Sequence, residues 1–384
     1  MVERDAKDAV IQLAKSFKAV ALTGPRQSGK TTLLREMFPE KSYLSLENPQ
    51  ERQFALTDPV QFLKRFPQGA ILDEVQRAPD LFSYLQQILD ESTEHGKFVL
   101  SGSNNFLLLE SITQSLAGRV GYLELLPFSY RETMACPSPP TSWLSYLFQG
   151  GYPAVAHDQV SPSLWFPSYV RTYIERDVRQ IRNISDILQF QRLLQACAGR
   201  IGQQVNFSSL GNDIGIDYKT VQSWISIMQA SYIIFLLPPF YKNFNKRVVK
   251  APKLYFHDTG LASYLLGITK SDQVMTHPFK GPLFENLVIL ECLKNRLNKG
   301  QRNNLFYYRD SAGNEVDLII DHGITQTAVE IKSAETLSKD FLKGLLYWEK
   351  LTGTKEGKLI YGGESVRHSY EGFEVMNWKS LPEV

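Results

Sequence analysis

The sequence predicts an α/β protein whose first part is a parallel sheet covered by helices. Residues 1–135 alternate short apolar runs, such as residues 19–22 and 70–72, with segments that have helical spacing. Strands covered by helices on both faces consist of continuous apolar residues, and strands separated by helices are typical of parallel sheets. The length of 384 residues allows two or three domains, each with its own hydrophobic core.

Composition and the start of the chain exclude several classes of protein. Hydrophobic residues make up 43% and charged residues 21%, which are ordinary fractions for a folded protein. No apolar run reaches the roughly 18 residues of a membrane-spanning helix. The charged start, Met1-Val2-Glu3-Arg4-Asp5, lacks the apolar core of a secretory signal. The three cysteines lack metal-ligand spacing and suit a reducing compartment, so we expect a cytoplasmic protein without a membrane partner.

Turn-rich and linker-like segments divide the rest of the chain. The run Cys136-Pro137-Ser138-Pro139-Pro140 predicts the end of the first domain. Residues 136–185 are predicted to form a helical connector. Residues 186–276 predict three helices with a tight turn before the third, and then two strands, which is the order of a winged helix-turn-helix. Residues 277–384 predict an α/β domain that begins with an amphipathic helix over 283–297 and continues with three closely spaced strands.

A phosphate-binding loop follows the first predicted strand. Residues 24–31 match GxxxxGK[ST] in full, between a strand and a helix. Glycines let successive backbone N–H groups point at phosphate oxygens, and the helix N-terminus adds positive charge. Lys30 is expected to neutralise the β- and γ-phosphates and the Thr31 hydroxyl to ligate Mg²⁺, so ATP and Mg²⁺ are the predicted cofactors. The residues predicted to contact the nucleotide are Gly24, Pro25, Arg26, Gln27, Ser28, Gly29, Lys30, Thr31 and Thr32.

Two carboxylates end the apolar strand at residues 70–72. Asp73 is placed to hold Mg²⁺, usually through water, and Glu74 is placed to orient an attacking water. A solvated acidic strand end is the alternative interpretation. The complete phosphate loop favours the catalytic one.

Two further candidates complete the predicted catalytic set. Ser103 and Asn104 follow the apolar run at 98–100, where a strand tip can contact the γ-phosphate; a simple turn is the alternative. Arg119 offers a cation that could stabilise transition-state charge in its own subunit or in a neighbouring one. A surface arginine explains it equally well.

Seven segments occur in an order that resembles a known family. These segments are TGPRQSGKTTLL, ILDEVQ, LSGSNN, LAGRV, LPFSYRE, GGYP and TYIERDV. Together they resemble the prokaryotic AAA-type P-loop ATPases that carry a C-terminal domain of unknown function. The resemblance covers nearly the whole chain and implies an ATP-binding domain with Walker A on Gly24–Thr31 and Walker B on Asp73 and Glu74. It implies no physiological substrate.

The charge is segregated along the sequence. The formal net charge is only +2. Residues 171–253 nevertheless contain twelve basic and five acidic residues, a local excess of seven positive charges, while the rest of the chain carries five net negative charges. A local excess of this kind suits an anionic partner.

The basic segment contains the predicted winged helix, which leads us to predict DNA as a partner. The third helix, predicted over 218–231, would enter the major groove, and the loop between the two strands would touch the DNA backbone. Lysines and arginines there would give a salt-sensitive affinity for phosphates. A module that docks a protein partner is the open alternative. The predicted DNA-contacting residues are Lys219, Lys242, Lys246, Arg247 and Lys250.

The C-terminal part contains a second group of charged residues. Alternation places Glu315 and Asp317 on one face of their predicted strand, and Glu330 and Lys332 on one face of the next. A tight turn brings the two strands together, so two carboxylates and a lysine are expected to converge. Glu285 on the preceding helix could join them. Such groups can bind Mg²⁺ and activate a water against a phosphodiester.

This arrangement resembles the PD-(D/E)xK nuclease-like fold, with Val316 in place of the motif's proline. A structural cluster of ion pairs is the alternative to an active nuclease.

These features lead to one main hypothesis and two others. The main one is a Mg²⁺-dependent ATPase that moves attached nucleic-acid-binding modules. The second is a nuclease whose access is regulated by ATP. The third is a nucleotide-switched scaffold for a protein partner. A role for Arg119 across subunits would require a homo-oligomer, which the sequence leaves open.

Overall fold

The computed structural model describes residues 2–103, 108, 112–173, 186–241, 250–364 and 367–383. The chain forms two compact units. The first comprises Met1–Glu132 together with the short segments Ala230–Tyr232 and Arg296–Arg302. The second comprises Thr133–Gln229, Ile233–Asn295 and Asn303–Val384.

Five parallel strands form the sheet of the first unit. Their bounds are β1 Ala19–Thr23, β2 Ser42–Ser45, β3 Ala70–Asp73, β4 Phe98–Gly102 and β5 Val120–Glu124. The order across the sheet is β2-β3-β4-β1-β5, and every neighbouring pair is parallel. This confirms the predicted parallel sheet. Strand β5 was not predicted; it lies at the edge of the sheet, where its alternating sequence leaves three of five residues only partly buried.

Hydrophobic clusters on both faces explain the continuous apolar character of the inner strands. Along β1, Ala19 and Ala21 belong to one cluster, whereas Val20 and Leu22 belong to another. Successive side chains of a strand point to opposite faces, so both faces of β1 are buried.

The helices around this sheet begin at residues suited to helix starts. The helices Pro49–Thr57 and Pro59–Lys64 have proline at the first turn and are capped by the side chains of Asn48 and Asp58. A short 3₁₀ turn, Val75–Arg77, follows β3, and a π turn spans Ile112–Leu116. The helices up to the end of this unit are α1 Lys7–Ser16, α2 Lys30–Met37, α3 Pro49–Thr57, α4 Pro59–Lys64, α5 Leu81–Glu91 and α6 Tyr130–Met134, of which α6 extends two residues into the second unit.

The second unit begins with helices and a two-stranded sheet. The elements to the end of the long helix are α7 Trp143–Gln149, α8 Pro153–Ala156, α9 Pro162–Tyr173, α10 Ile187–Ala198, α11 Phe207–Ile214, α12 Tyr218–Ala230, β6 Ile234–Leu237, β7 Lys253–Phe256, α13 Thr259–Leu265, α14 Gln273–Thr276 and α15 Lys280–Asn298. The last residue of α12 and the last three residues of α15 belong to the first unit. Strands β6 and β7 are antiparallel. The predicted order of three helices and two strands is therefore present over 187–256.

The segment Gly150-Gly151-Tyr152-Pro153 has a structural role in this unit. The Gly151 N–H donates to the Asp258 carboxylate at 2.8 Å. Gly150 has φ +70°, and a Cβ there would lie 2.4 Å from Asp258 Oδ1. This approach and the left-handed backbone both require glycine.

Helix α15 differs from its prediction. The sequence suggested an amphipathic helix, but residues 286–294 are all buried. Its polar side chains find partners inside the protein: Asn286 exchanges two hydrogen bonds with the backbone of Phe256, and Lys294 pairs with Glu291 at 2.9 Å. The amphipathic prediction is wrong because these polar residues are satisfied internally rather than by solvent.

A six-stranded mixed sheet completes the second unit. The order is β12-β13-β11-β10-β9-β8. The three predicted strands and the following helix and strand are present, whereas the last two strands were not predicted. Leu345 and Trp348 of the helix share a hydrophobic cluster with Val316 and Ala328 of the sheet. The bounds are β8 Leu305–Arg309, β9 Glu315–Asp321, β10 Gln326–Lys332, α16 Lys343–Thr352, β11 Gly357–Tyr361, β12 Arg367–Tyr370 and β13 Phe373–Asn377, with 3₁₀ turns at Lys339–Leu342 and Trp378–Glu383.

Candidate functional site

The loop between β1 and α2 curls tightly. Gly24, Gln27 and Gly29 have φ values of +149°, +60° and +91°. A Cβ at Gly24 would lie 2.1 Å from the carbonyl oxygen of Leu125, so a larger residue cannot occupy that position. Successive peptide groups with such backbone angles form a concave set of N–H donors that suits phosphate oxygens.

Lys30 opens helix α2 and folds back over this loop. Its side-chain nitrogen donates to the carbonyl oxygens of Gly24 and Pro25 at 2.9 and 2.8 Å, and the residue is buried. In the same loop Ser28 is fully buried, while Arg26 lies 3.5 Å from Glu47 and Thr32 is exposed. The positive charge of Lys30 is thus held at the mouth of the N–H cradle.

Asp73, the last residue of β3, is the centre of a hydrogen-bond network. Thr31 Oγ1 and the Tyr43 hydroxyl donate to Oδ2 at 2.9 and 2.8 Å, while Ser101 Oγ and the Glu74 N–H donate to Oδ1 at 2.6 and 3.1 Å. Burial and the adjacent Asp73 carboxylate raise the pKa of Tyr43 to about 12, so its hydroxyl stays protonated and donates. The predicted neighbours Thr31 and Asp73 are therefore together.

Hydroxyl and carboxylate oxygens are the ligand types that Mg²⁺ prefers, so Thr31 and Asp73 fit this cation. Among the residues the structure describes, no group of three or more His, Cys, Asp and Glu side chains is arranged to hold a metal. This is compatible with P-loop proteins, in which water and phosphate oxygens supply most Mg²⁺ ligands.

Glu74 lies at the carboxyl edge of the same sheet. It has φ +56° in the left-handed region and is buried. Its Oε2 accepts from Gln76 Nε2 at 2.6 Å and from Ser103 Oγ at 2.9 Å. Such backbone angles are uncommon for residues other than glycine and occur preferentially at functional sites.

A buried arginine, Arg4, stabilises the phosphate loop by a hydrogen bond to its backbone. Arg4 Nη1 donates to the Ser28 carbonyl oxygen at 2.7 Å, Nη2 to the Leu126 carbonyl oxygen at 2.8 Å and Nε to Glu132 at 2.8 Å. Glu132 also accepts from the backbone N–H of Ser129 at 2.7 Å. The sequence segment LPFSYRE, which had no assigned role, thus anchors the residue that holds the loop.

Arg119 does not lie at the phosphate loop of its own chain. Its carbonyl accepts from the Ala19 N–H at the start of β1, whereas the loop follows the end of that strand. Its guanidinium forms a two-contact pair with exposed Asp90, at 2.5 and 3.0 Å. Arg119 thus lies beside the opposite end of β1 from the loop, and a catalytic role for it, in its own subunit or in a neighbouring one, stays a prediction. Asn104 lies outside the described residues.

A cluster of hydroxyls surrounds the end of β1, where Thr23 immediately precedes the loop. Thr23 Oγ1 lies 2.6 Å from the Tyr122 hydroxyl and 2.7 Å from the Tyr232 hydroxyl. Tyr232, a buried residue with φ +58°, belongs to the first unit although most of its neighbours in sequence do not. The Tyr122 hydroxyl also donates to Glu124 at 3.3 Å.

The buried carboxyl of Glu124 should make the stability of the first unit depend on pH. Burial raises the pKa of Glu124 above its ordinary value, and Tyr122 and Tyr232 are the polar groups facing it. Since the unfolded chain loses this proton first, the carboxyl destabilises the fold as the pH rises through the interval between the unfolded and folded pKa. Glu124→Gln should raise the thermal unfolding midpoint at pH 8, by about 2–4 °C for each kcal/mol relieved.

The difference should disappear at pH values below about 4, where the wild-type carboxyl is protonated in both states. Glu36→Gln, at an exposed position on α2, is the control and should show no such pH dependence. An unfolding midpoint of Glu124→Gln at or below the wild-type value at pH 8 would contradict the assignment.

The predicted C-terminal group does converge in the second unit. Lys332 Nζ lies 3.0 Å from Asp317 Oδ2 and 2.6 Å from Glu330 Oε2. The Ile331 N–H also donates to Asp317 Oδ2 at 2.8 Å. Alternation along β9, with Val316 buried and its neighbours partly exposed, places these groups as predicted.

Lys253 and Tyr255 of β7 also belong to this group, and sequence reasoning missed them. Lys253 Nζ lies 3.0 Å from Glu285 and 2.6 Å from Glu315, and the Tyr255 hydroxyl donates to Glu285. The available signal was alternation in Lys253-Leu254-Tyr255-Phe256, which places both polar side chains on one face. Lys253 is one of the twelve basic residues of segment 171–253, but it is buried against carboxylates and cannot contact DNA.

The pKa values of two carboxyls in this cluster, Glu330 and Asp317, are shifted in opposite directions. Burial and the neighbouring Asp317 raise the pKa of Glu330 well above its ordinary value. Burial opposes ionisation of Asp317 as well, but the ammonium groups of Lys332 and Lys253 hold the pKa of Asp317 below its ordinary value. One carboxyl that favours the proton thus lies beside one that favours ionisation, a combination that occurs at sites of acid–base chemistry and in structural ion-pair networks.

The predicted DNA-contacting residues are only partly described. Lys219 and Lys250 are exposed. Asp217 caps α12 by accepting from the N–H groups of Lys219 and Thr220 at 2.9 and 3.1 Å, which confirms the predicted cap. Lys242, Lys246 and Arg247 lie outside the described residues.

The described residues contain no helix that is both long and apolar enough to span a membrane.

The fold and the first site define a P-loop ATPase: a phosphate loop follows the first strand of a parallel sheet, and an aspartate ends a nearby strand. Family comparison agrees, because residues 16–134 match the family described as an AAA domain. Residues 141–272 and 280–381 match two domains of unknown function, DUF8612 and DUF4143.

Two mycobacterial proteins are similar over most of the chain. The uncharacterized protein Rv2008c of Mycobacterium tuberculosis and the uncharacterized protein Mb2031c of Mycobacterium bovis are each 30% identical over 346 residues, which cover 88% of this chain and 76% of theirs. The chain belongs to the same family as these proteins, and its own AAA-type ATPase domain is followed by the DUF4143 region.

Two solved structures also align with the chain. The Walker-type ATPase paby2304 of Pyrococcus abyssi is 14% identical with a TM-score of 0.46, covering 68% of this chain and 95% of that one. A RuvB variant of Thermotoga maritima is 17% identical with a TM-score of 0.32, covering 61% and 86%.

Proposed function

We propose that the first unit hydrolyses ATP in a Mg²⁺-dependent reaction. The observation that carries the proposal is the hydrogen bond between Thr31 on the phosphate loop and Asp73 at the end of β3, with Glu74 beside them. Thr31 and Asp73 come from sequence segments about forty residues apart and meet at one edge of the sheet, and the Glu74 backbone N–H donates to the same aspartate. Their chemistry matches the parts that P-loop ATPases use.

The residues of this chain have separate roles in the proposed reaction. The backbone N–H groups of residues 26–29 bind phosphate oxygens, and Lys30 exchanges its bonds to two loop carbonyls for bonds to the β- and γ-phosphates. Thr31 and Asp73 would hold Mg²⁺, which neutralises phosphate charge when bound. Glu74 accepts a proton from the attacking water.

The test of this proposal is Glu74→Gln. Because the amide cannot accept the proton, kcat for ATP hydrolysis should fall by about 100-fold or more, within the range for general acid–base residues. The affinity for ATP, measured with a fluorescent analogue, should change little, since Glu74 does not hold the phosphates. Glu36→Gln on exposed α2 is the matched control. Turnover by Glu74→Gln at the wild-type rate would contradict the role.

We further propose that the ATPase acts on nucleic acid through residues 186–276. The support is the order of three helices and an antiparallel pair of strands, together with the excess of basic residues in this part of the sequence. Arg200 is partly neutralised by Asp213 at 2.7 Å, so the remaining lysines carry most of this argument. The alternative partner is a protein, for which this segment would act as a docking scaffold.

A second candidate function is cleavage of phosphodiesters by the C-terminal cluster. The observation in its favour is that Lys332 Nζ lies 3.0 Å from the Asp317 carboxylate on the adjacent strand and 2.6 Å from the Glu330 carboxylate. The side chains of Lys332 and Glu315 are 30% and 26% exposed, so a substrate can reach this part of the cluster. The two carboxylates would hold Mg²⁺, and Lys332 would stabilise developing charge on the phosphate.

Asp317→Asn and Lys332→Met should each remove Mg²⁺-dependent cleavage of DNA, by about 100-fold or more if a catalytic charge is lost. ATP hydrolysis should be unchanged, because the cluster belongs to the other unit. The matched controls are Asp340→Asn and Lys343→Met, which alter an exposed ion pair in which Lys343 Nζ lies 3.0 Å from Asp340 Oδ1. Cleavage that survives both site variants, or wild-type protein that cleaves neither DNA nor RNA, would contradict this function.

A further inference from the structure

The short turn after β3 places Gln76 beside Glu74. Gln76 Nε2 and Ser103 Oγ both donate to Glu74 Oε2, at 2.6 and 2.9 Å. A carboxylate only accepts and an amide NH₂ only donates, so this short contact determines which way the amide of Gln76 points. The NH₂ group, and not the carbonyl oxygen, is therefore the end of the amide that contacts this carboxylate oxygen.

That carbonyl oxygen has an unusual environment. Gln76 Oε1 is buried, and among the described residues nothing donates a hydrogen bond to it. It lies against Gly102 at the end of β4, where an added Cβ would come within 2.5 Å. A buried polar atom without a partner costs about 1–3 kcal/mol. Such an atom beside a candidate general base indicates a ligand that donates hydrogen bonds.

We infer that Gln76 is a catalytic residue that orients the attacking water together with Glu74, an inference that rests on the proposed ATP hydrolysis. The water donates one hydrogen to Gln76 Oε1 and the other to Glu74. Its oxygen forms a bond to the γ-phosphorus while the bond from phosphorus to the β–γ bridging oxygen breaks. The electron pair leaves on ADP, and the water's proton passes to Glu74 and then to phosphate or solvent.

The backbone supports the same interpretation. Glu74 has φ +56°, and the 3₁₀ turn Val75–Arg77 starts directly after it. This strained conformation brings the side chains of residues 74 and 76 to the same place although they are only two positions apart. Strain of this kind persists where the surrounding structure holds it, which is common at functional sites.

Gln76→Met tests the inference, because methionine keeps the side-chain volume and removes both polar atoms. The value of kcat should fall by about 10- to 100-fold, the effect of losing one group that positions a reacting proton. The KM for ATP and the affinity for a non-hydrolysable ATP analogue should stay within about twofold, since Gln76 does not bind the phosphates. Gln87→Met, at a glutamine on α5 that also contacts a glutamate, is the matched control.

A double variant separates a shared water from an independent structural effect. If both residues act on one water, Glu74→Gln combined with Gln76→Met should be no slower than Glu74→Gln alone, because effects within one unit are not additive. Gln76→Asn, which withdraws the carbonyl by one methylene, should lose kcat similarly and serves if the methionine variant does not fold.

Three outcomes would overturn the inference: wild-type kcat in Gln76→Met, a change in KM alone, or multiplicative losses in the double variant. Absence of ATP hydrolysis by the wild-type protein would instead contradict the proposed function itself.

Discussion

Lys30→Ala is expected to lower the rate of ATP hydrolysis by about 100- to 1,000-fold, the range for removing one preorganised charge or donor from a transition state. Lys30 opens α2 and keeps its ammonium at two loop carbonyls, 2.9 and 2.8 Å away, beside the N–H cradle. Removing it leaves the negative charge of the β- and γ-phosphates without its nearest protein cation. Steady-state release of phosphate measures the effect.

Affinity for ATP should also fall in this variant, in contrast to Glu74→Gln, because Lys30 contacts the ground-state phosphates as well. Lys64→Ala, at an exposed lysine on α4, is the control. Lys30→Met repeats the test with a side chain of similar length. Turnover within twofold of the wild type in both Lys30 variants would rule out the assigned nucleotide site.

Arg4→Ala is expected to cause the largest loss of stability. The guanidinium is buried and bonds the Ser28 and Leu126 carbonyls and Glu132, which is itself almost fully buried. Removing one partner of a buried pair leaves the other as an uncompensated charge and costs about 3–5 kcal/mol. The unfolding transition of the first unit, followed by heat or denaturant, should shift accordingly.

A matched control lies next to Glu132 in the sequence. Arg131→Ala removes an arginine whose side chain is 75% exposed and lies 3.5 Å from Asp5. Exposed ion pairs contribute about 0–1 kcal/mol, so this variant should be close to the wild type. Arg4→Lys should recover only part of the stability, since an ammonium cannot reproduce three planar contacts. Equal stability of Arg4→Ala and Arg131→Ala would contradict the supporting role of Arg4.

The parallel sheet and the nucleotide site could be predicted in large part from local patterns. The loop at residues 24–29 requires glycines for its backbone angles, and the apolar run at 70–72 requires burial on both faces, so each segment carries its own evidence. The meeting of Thr31 with Asp73 then follows, because the carboxyl ends of parallel strands share one edge. Edge strand β5 was missed because its alternating burial gives a weaker signal.

Much of the C-terminal cluster was predictable because one short turn joins two of its strands. Asp317 and Lys332 lie on adjacent strands, so alternation was enough to place them on one face. Lys253 comes from a different sheet and approaches Glu285 across 32 positions of sequence, a contact that no periodicity encodes. The role of Gln76 was equally hidden: its position in ILDEVQ was noted, but the direction of its amide depends on Glu74 and Ser103.

Sequence alone determined the class of this protein, since a phosphate loop, its flanking strand and helix, and the carboxylates of β3 are specified by backbone sterics and burial over short segments. The tertiary structure decided which side chains complete the sites. Arg4 meets Glu132 across 128 positions, and Tyr232 joins the first unit from a distant segment. Such contacts depend on how whole elements pack, and packing free energy is shared among many residues that no short pattern contains.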